Sequence, residues 1–222
     1  MRSTESVRKT FDQELEALKQ TLLRMVDLAE RALEDSMMAL KEQNLLLAKV
    51  VIDSDAEINR LDEEINGWVI QLIAQQQPVA TDLRKIITAL KISTDVERVG
   101  DLAANIAKCT LHIGDEPLIK PIVDIPKMAS IVQEMLRKSF DAYDLEDPRL
   151  ALEIAETDDR VDRLYGERIR ELMQIMTLTP RRVNQITQLA FICRNLERVG
   201  DHAVNMAESI LYLTKGEQYH LN

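Results

Sequence analysis

The sequence predicts an all-α fold of two tandem three-helix bundles, six long antiparallel helices in all, and three observations carry that prediction. Its 222 residues include only 6 Gly and 6 Pro, and aromatic residues make up 4%. An antiparallel β protein needs a turn every dozen residues or so, which this composition cannot supply. Apolar residues recur at spacings of three and four over long stretches free of Gly and Pro, the mark of amphipathic helices. Finally, the segment ERVGDLAANIA at 97–107 returns as ERVGDHAVNMA at 197–207, identical at eight of eleven positions.

The first segment, from about Thr4 to Gln43, carries Phe11, Leu15, Leu18, Leu22, Met25, Leu33 and Leu40 on one stripe. The second, from Leu45 to about Gln75, carries Val51, Ile58, Leu61, Ile65, Trp68 and Leu72, and stops before Pro78, which disfavours helical geometry in the residue preceding it. Thr81-Asp82 is the expected cap of a third helix, which runs to Gly114, with Pro117 beyond. The stretch GDEPLIKPIVDIP holds three of the six prolines and reads as a linker. A fourth helix is expected from Lys127 to about Tyr143. A fifth opens at Asp147-Pro148, with Pro148 suited to the first helical position, and ends before Pro180. The sixth runs from about Arg181 to Thr214 and stops at Gly216. The repeat therefore divides the chain into residues 1–114, a linker at 115–126, and residues 127–222. Trp68 and the nine Met residues fall at helical spacing and read as core filling.

A net charge of −10 and a pI near 4.9 repel phosphate backbones, so nucleic acid is not an expected partner. Cys109 and Cys193 occupy unmatched repeat positions and form no CxxC pair. Buried free thiols are expected rather than a zinc site. The first twenty residues lack the apolar core of a signal peptide, and nowhere do eighteen apolar residues run together; a cytoplasmic protein is expected. Patterns for a phosphate-cradling loop, a dinucleotide fold, a nucleophile elbow or a zinc protease are absent.

The repeated segment carries the chemistry. Glu97, Asp101 and Asn105, like Glu197, Asp201 and Asn205, recur every fourth residue and so share one stripe of a helix. Like charges one turn apart destabilise a bare helix by a few tenths of a kcal/mol, and a mid-helix glycine costs about 1 kcal/mol against alanine. Gly100 and Gly200 beside these acids imply that something approaches the backbone there. The second helices add Asp55 with Asn59, and Asp158 with Asp162. If second and third helices are neighbours, each half gathers three or four oxygen ligands suited to iron, manganese, magnesium or zinc. The competing reading is a solvated network in which Arg98 and Arg198, or Arg60 and Arg163, pair with the acids. His202 faces Leu102 in the repeat alignment, so a surface histidine is expected. Oxygen-activating di-iron chemistry is disfavoured, because no Glu-x-x-His pair exists.

Two copies of ERVGD followed by A-x-N, each on the third helix of a three-helix unit, together with Gln76–Ala107 (QQPVATDLRKIITALKISTDVERVGDLAANIA), resemble the PhoU family of bacterial phosphate-uptake regulators. The resemblance spans essentially the whole chain. It implies a cytoplasmic, non-enzymatic negative regulator, homodimeric and peripherally associated with membrane complexes. Such a protein couples the phosphate ABC transporter to a phosphate-sensor histidine kinase. The resemblance also implies multinuclear metal clusters, of iron or zinc, held by Glu97, Asp101 and Asp55 in the first half and by Glu197, Asp201, Asp158 and Asp162 in the second. Asn59 stands where the family usually has an acid, which weakens the first cluster. Two other functions compete with this reading: a two-metal phosphohydrolase and a purely structural helical adaptor.

Overall fold

A computed structural model describes residues 4–119 and 124–221. Six helices account for nearly all of it: α1 (Thr4–Glu42), α2 (Leu45–Gln76), α3 (Thr81–Ile113), α4 (Asp124–Asp144), α5 (Pro148–Leu178) and α6 (Val183–Lys215), with a short 3₁₀ turn at Pro180–Arg182 leading into α6. The all-α prediction and the three-plus-three order are borne out.

Breaks in the chain follow local chemistry. Asn44 caps α2, its side-chain oxygen accepting from the Leu47 N–H at 3.0 Å. Asp147 caps α5 through the Arg149 N–H, with Pro148 as first helical residue. Gly114 and Gly216 end α3 and α6 at φ +67° and +78°, a region glycine enters without steric cost. Two expectations fail here. Thr81-Asp82 does not cap α3: Ala80 holds that position at φ +49° with no side-chain cap bond, and Asp82 instead pairs with Arg8 of α1 at 2.5 Å. Helix α4 starts at Asp124, inside the expected linker, because Pro126 falls in the first turn, where a missing N–H is harmless.

Each half packs its three helices against one another, and the two halves join chiefly along α3 and α6. These two run antiparallel: the Thr88 hydroxyl donates to the Ser209 carbonyl, and the Asn184 amide to the His112 carbonyl. One continuous apolar core results, running from Leu22, Met25 and Leu33 through Ile92, Val96 and Ile106 to Leu189, Val199 and Ile210. Cys109 and Cys193 are buried free thiols, as expected. Burial pushes them up to about 11 and about 12. The chain between the halves is wired down as far as Ile119. The buried Gln185 accepts from the Ile119 N–H at 2.7 Å and donates to the Pro117 carbonyl, while Gln43 donates to the Gly114 and Glu116 carbonyls. Among the described residues no helix is long and apolar enough to cross a membrane.

The antiparallel α3–α6 contact brings together residues that the sequence keeps apart. His202 Nδ1 donates to Asp95 Oδ1 at 2.9 Å, and the Asn205 amide donates to the same oxygen at 3.3 Å. His202 is therefore not a free surface histidine but a mostly buried link between the halves. The equivalent positions across the repeat are Leu102 and Asn195, so this polar tie exists once.

Candidate functional site

In the first half, α2 brings Asp55 and Asn59 to the flank of α3, where Glu97 and Asp101 stand one turn apart. The contact is close at Gly100. A Cβ there would lie 2.8 Å from Ile58 Cδ1 and 3.2 Å from Asp55 Oδ1. What approaches the glycine is thus the inner face of α2, including the carboxylate itself. Asn59 donates to Asp55 Oδ2 at 3.2 Å. Asp55 Oδ1, Asn59 Oδ1 and Glu97 Oε2 are enclosed and have no hydrogen-bond partner among the described residues. Arg98 reaches across the stripe, bonding Asp101 Oδ2 at 2.9 Å, with Nε 3.2 Å from Glu97 Oε2. The second distance is within ion-pair range but out of hydrogen-bond alignment. Burial, and then the charge of Asp101, hold both Asp55 and Glu97 above the usual carboxylate range.

The second half repeats this arrangement on α5 and α6, more deeply buried. A Cβ on Gly200 would meet Asp158 Oδ1 at 2.9 Å and Val161 Cγ1 at 3.6 Å. Asp158 is 6% exposed and Glu197 9%, and each has an enclosed oxygen, Oδ1 and Oε2, without a partner. These two acids therefore do not stand out on the bundle surface: α5 and α6 approach so closely at the glycine that the contact covers them. Burial, reinforced by Asp162, Asp201, Glu197 and Asp159, pushes Asp158 up to about 7. Glu197 and Asp201 are also raised, by burial first and by their acidic neighbours next. Arg194 pairs with Glu197 Oε1 one turn away and lies over the Tyr165 ring at 5.9 Å. Asp162, Asp201 and Arg198 form no ion pair with a described residue.

The expected acids are thus gathered half by half: Asp55, Glu97 and Asp101 at α2–α3, and Asp158, Asp162, Glu197 and Asp201 at α5–α6. Of the arginines expected to pair with them, Arg98 does. Arg60 pairs instead with Glu57 and Glu64 on its own helix. Two contributors escaped the sequence reading. Asp62, seven residues after Asp55 and so on the same face of α2, adds its charge beside Glu97. It is held by the Ser93 hydroxyl at 2.8 Å and the Asn66 amide at 3.0 Å. Its counterpart in the second half is Tyr165, the residue under Arg194, and Arg194 itself stands where the first half has Thr94. The i, i+7 spacing from Asp55 was the available signal for Asp62, but the mismatch between the repeats concealed it.

The donor chemistry fits a cation. Both sets are all-oxygen, and both contain enclosed oxygens with nothing to accept from, the pattern that hard and borderline metals satisfy. Among the described residues, however, no three His, Cys, Asp or Glu side chains already surround one point as ligands. In each half a carboxylate turns to an arginine instead.

Comparison with known proteins places these clusters in a lineage. The family model described as "PhoU domain" matches residues 22–110 and again 125–210, one match for each half. The chain belongs to the PhoU family. It is 43% identical over 216 residues to a phosphate-specific transport system accessory protein PhoU homolog of Clostridium acetobutylicum, covering 97% of this chain and 99% of that one. A homolog of the same description from Aquifex aeolicus is 40% identical over 92% of each. Among solved structures, the PhoU crystal structure from Pseudomonas aeruginosa superposes with a TM-score of 0.90 at 36% identity, covering 93% of this chain and all of that one. Membership thus extends through both halves, the linker and both acidic clusters.

Proposed function

We propose that this PhoU-family chain is a non-enzymatic accessory protein of phosphate transport and a negative regulator of phosphate uptake and of the phosphate-starvation response. In this reading it is a cytoplasmic homodimer that docks on the phosphate ABC transporter and a sensor histidine kinase, conveying the state of one to the other. The observation that carries the proposal is whole-length kinship with proteins named as phosphate-specific transport accessories, with both acidic clusters present. A docking role suits a body of six long helices with extended, charged outer faces. A regulatory rather than catalytic role is supported by the two thiols, which are buried and held protonated, and by the absence of any nucleophile motif in the sequence.

Within that function, Asp55, Glu97 and Asp101 in the first half, and Asp158, Asp162, Glu197 and Asp201 in the second, are the residues that would hold iron or zinc. A bound cation would supply positive charge that neutralises the crowded carboxylates and fixes the second and third helices of each half against each other. The chain's own residues set the limits of such a site: the glycines allow close helix contact, Asp158 and Glu197 are shielded from water, and Asp162 stands exposed.

The test is complementation. In a bacterium lacking its own PhoU, this chain should restore repression of a phosphate-starvation reporter under phosphate excess, and should co-purify with transporter and kinase. The Glu97→Ala/Glu197→Ala double variant should lose repression while staying folded. Failure of the unaltered chain to restore repression, or full repression by the double variant, removes the regulatory reading or the clusters' part in it, respectively.

A further inference from the structure

Away from both acidic clusters, a pocket of about 240 Å³ opens at the seam of the two halves, beside the start of α3. Leu15, Leu18 and Ala89 of the first half and Leu213 of the second give it an apolar wall, and Tyr143, at the end of α4, also lines it. Tyr143 is 8% exposed, and its hydroxyl makes no hydrogen bond with a described residue. Leaving a buried hydroxyl unpaired is unfavourable, and the open space beside it is where a partner would stand. Charged groups ring the mouth, and most answer one another. Arg8 holds Asp12 and Asp82 at 3.0 and 2.5 Å, Lys85 holds Glu146 at 2.7 Å, and Lys19 holds Asp144 at 2.7 Å. Glu16 differs: it lines the pocket and accepts from the Gln20 amide at 2.8 Å, but pairs with no cation among the described residues. No hydrogen bond joins it to Tyr143, so a gap separates the two groups. After burial, the charges of Glu146, Asp144 and Glu16 hold the phenol above the ordinary tyrosine range, so the field at the hydroxyl is that of the acids.

We propose that this pocket binds a primary ammonium group on a short aliphatic chain, the ammonium donating to the Tyr143 hydroxyl and the Glu16 carboxylate while the chain lies on Leu15, Leu18 and Leu213. An ammonium carries three donors and no acceptor, which suits a hydroxyl oxygen and a carboxylate that are both free to accept. An anion would meet the field of the acids, and a wholly apolar ligand would leave the hydroxyl unpaired. The volume exceeds the roughly 150 Å³ of a cavity that takes benzene, so about six non-hydrogen atoms fit. A free amine and the lysine side chain of a partner protein share this chemistry. Because the walls come from both halves, an occupant ties α1 and α3 to the α4–α5 turn and α6. The site is independent of any cation held by the acidic clusters.

The experiment is a calorimetric titration of the purified full-length chain with n-butylamine and, separately, with Nα-acetyl-lysine methylamide at neutral pH, with n-butanol as the uncharged control. Saturable binding of an amine, and none of n-butanol, is expected. Tyr143→Phe keeps the ring and removes the hydroxyl, and should weaken binding by about tenfold. Glu16→Gln, at the exposed rim, should weaken it by up to about fivefold. Glu63→Gln removes an equal charge from α2, outside the pocket, and should change nothing. Tighter binding of the lysine amide would identify a partner's side chain as the occupant, and tighter binding of n-butylamine a free amine; either supports the site. The proposal is overturned if neither amine saturates, if n-butanol binds as well as the amines, if Tyr143→Phe leaves binding unaltered, or if Glu63→Gln weakens it as much as Glu16→Gln. Should Tyr143→Phe not fold, the comparison of Glu16→Gln with Glu63→Gln decides.

Discussion

The two halves share a backbone plan but distribute charge differently across it. Each places an acid from its second helix against a mid-helix glycine of its third, and each gathers four carboxylates with arginine charge beside them. The first half takes its fourth acid from Asp62 and its arginine from position 98. The second takes them from Asp162 and from Arg194, while the counterpart positions hold Tyr165 and Thr94. The comparison teaches that a duplicated cluster can conserve its charge balance while exchanging the residues that supply it. It also shows where the halves part: Asp158 and Glu197 of the second cluster are the more buried.

The largest expected effect tests that difference in burial. A carboxyl held at about 7 in the folded chain, against 3.8 for an ordinary aspartate, favours the protonated form. The stability it contributes is fully present below about pH 4 and is lost as pH rises through about 7. In chelator, thermal unfolding should therefore show a loss of a few kcal/mol between about pH 5 and pH 8, at about 1.4 kcal/mol per pKa unit. Asp158→Asn should flatten that slope, and Asp55→Asn should do so less. Equal slopes in all three proteins would erase the distinction between the clusters.

Helix contact at the glycines comes next. Gly100→Ala and Gly200→Ala should each destabilise by up to about 2 kcal/mol, because about 1–3 kcal/mol of overpacking opposes a gain of about 1 kcal/mol in helix propensity. Gly67→Ala and Gly166→Ala meet nothing within 4 Å and should stabilise by up to about 1 kcal/mol. Denaturant unfolding of the four variants checks both signs at once. The single polar tie between the halves is tested by His202→Leu, which installs the first half's residue. It should cost about 1 kcal/mol, and a double-mutant cycle with Asp95→Asn should show coupling. Additive costs would mean that the His202–Asp95 bond contributes nothing. The smallest change is Asn59→Asp, which makes the first cluster resemble the second: it should lose a few tenths of a kcal/mol in chelator and regain it with Mn²⁺.

Much of this was legible in the chain. Helix ends at Gly114 and Gly216 and the stop before Pro78 depend on backbone rules that act locally, and sequence reading placed them within a few residues. The α3 cap, though not its start, was misjudged because Asp82 is drawn to Arg8, a residue on another helix, and the α4 start because a proline in a first turn looks the same as one in a linker. The seven acids were found from their spacing. Their depth was not, since spacing along one helix says nothing about how closely the next one lies.

The sequence by itself determined six helices, their duplication, and which carboxylates share a face, because periodicity and repetition are written along the chain. Only the tertiary structure decided that Asp158 and Glu197 are buried, that Arg98 rather than Arg60 answers the acids, and that His202 joins the halves. The burial and the His202 link depend on distances between helices far apart in sequence, which the antiparallel packing of α3 on α6 and the close approach at two glycines establish, whereas the arginine pairs form within single helices.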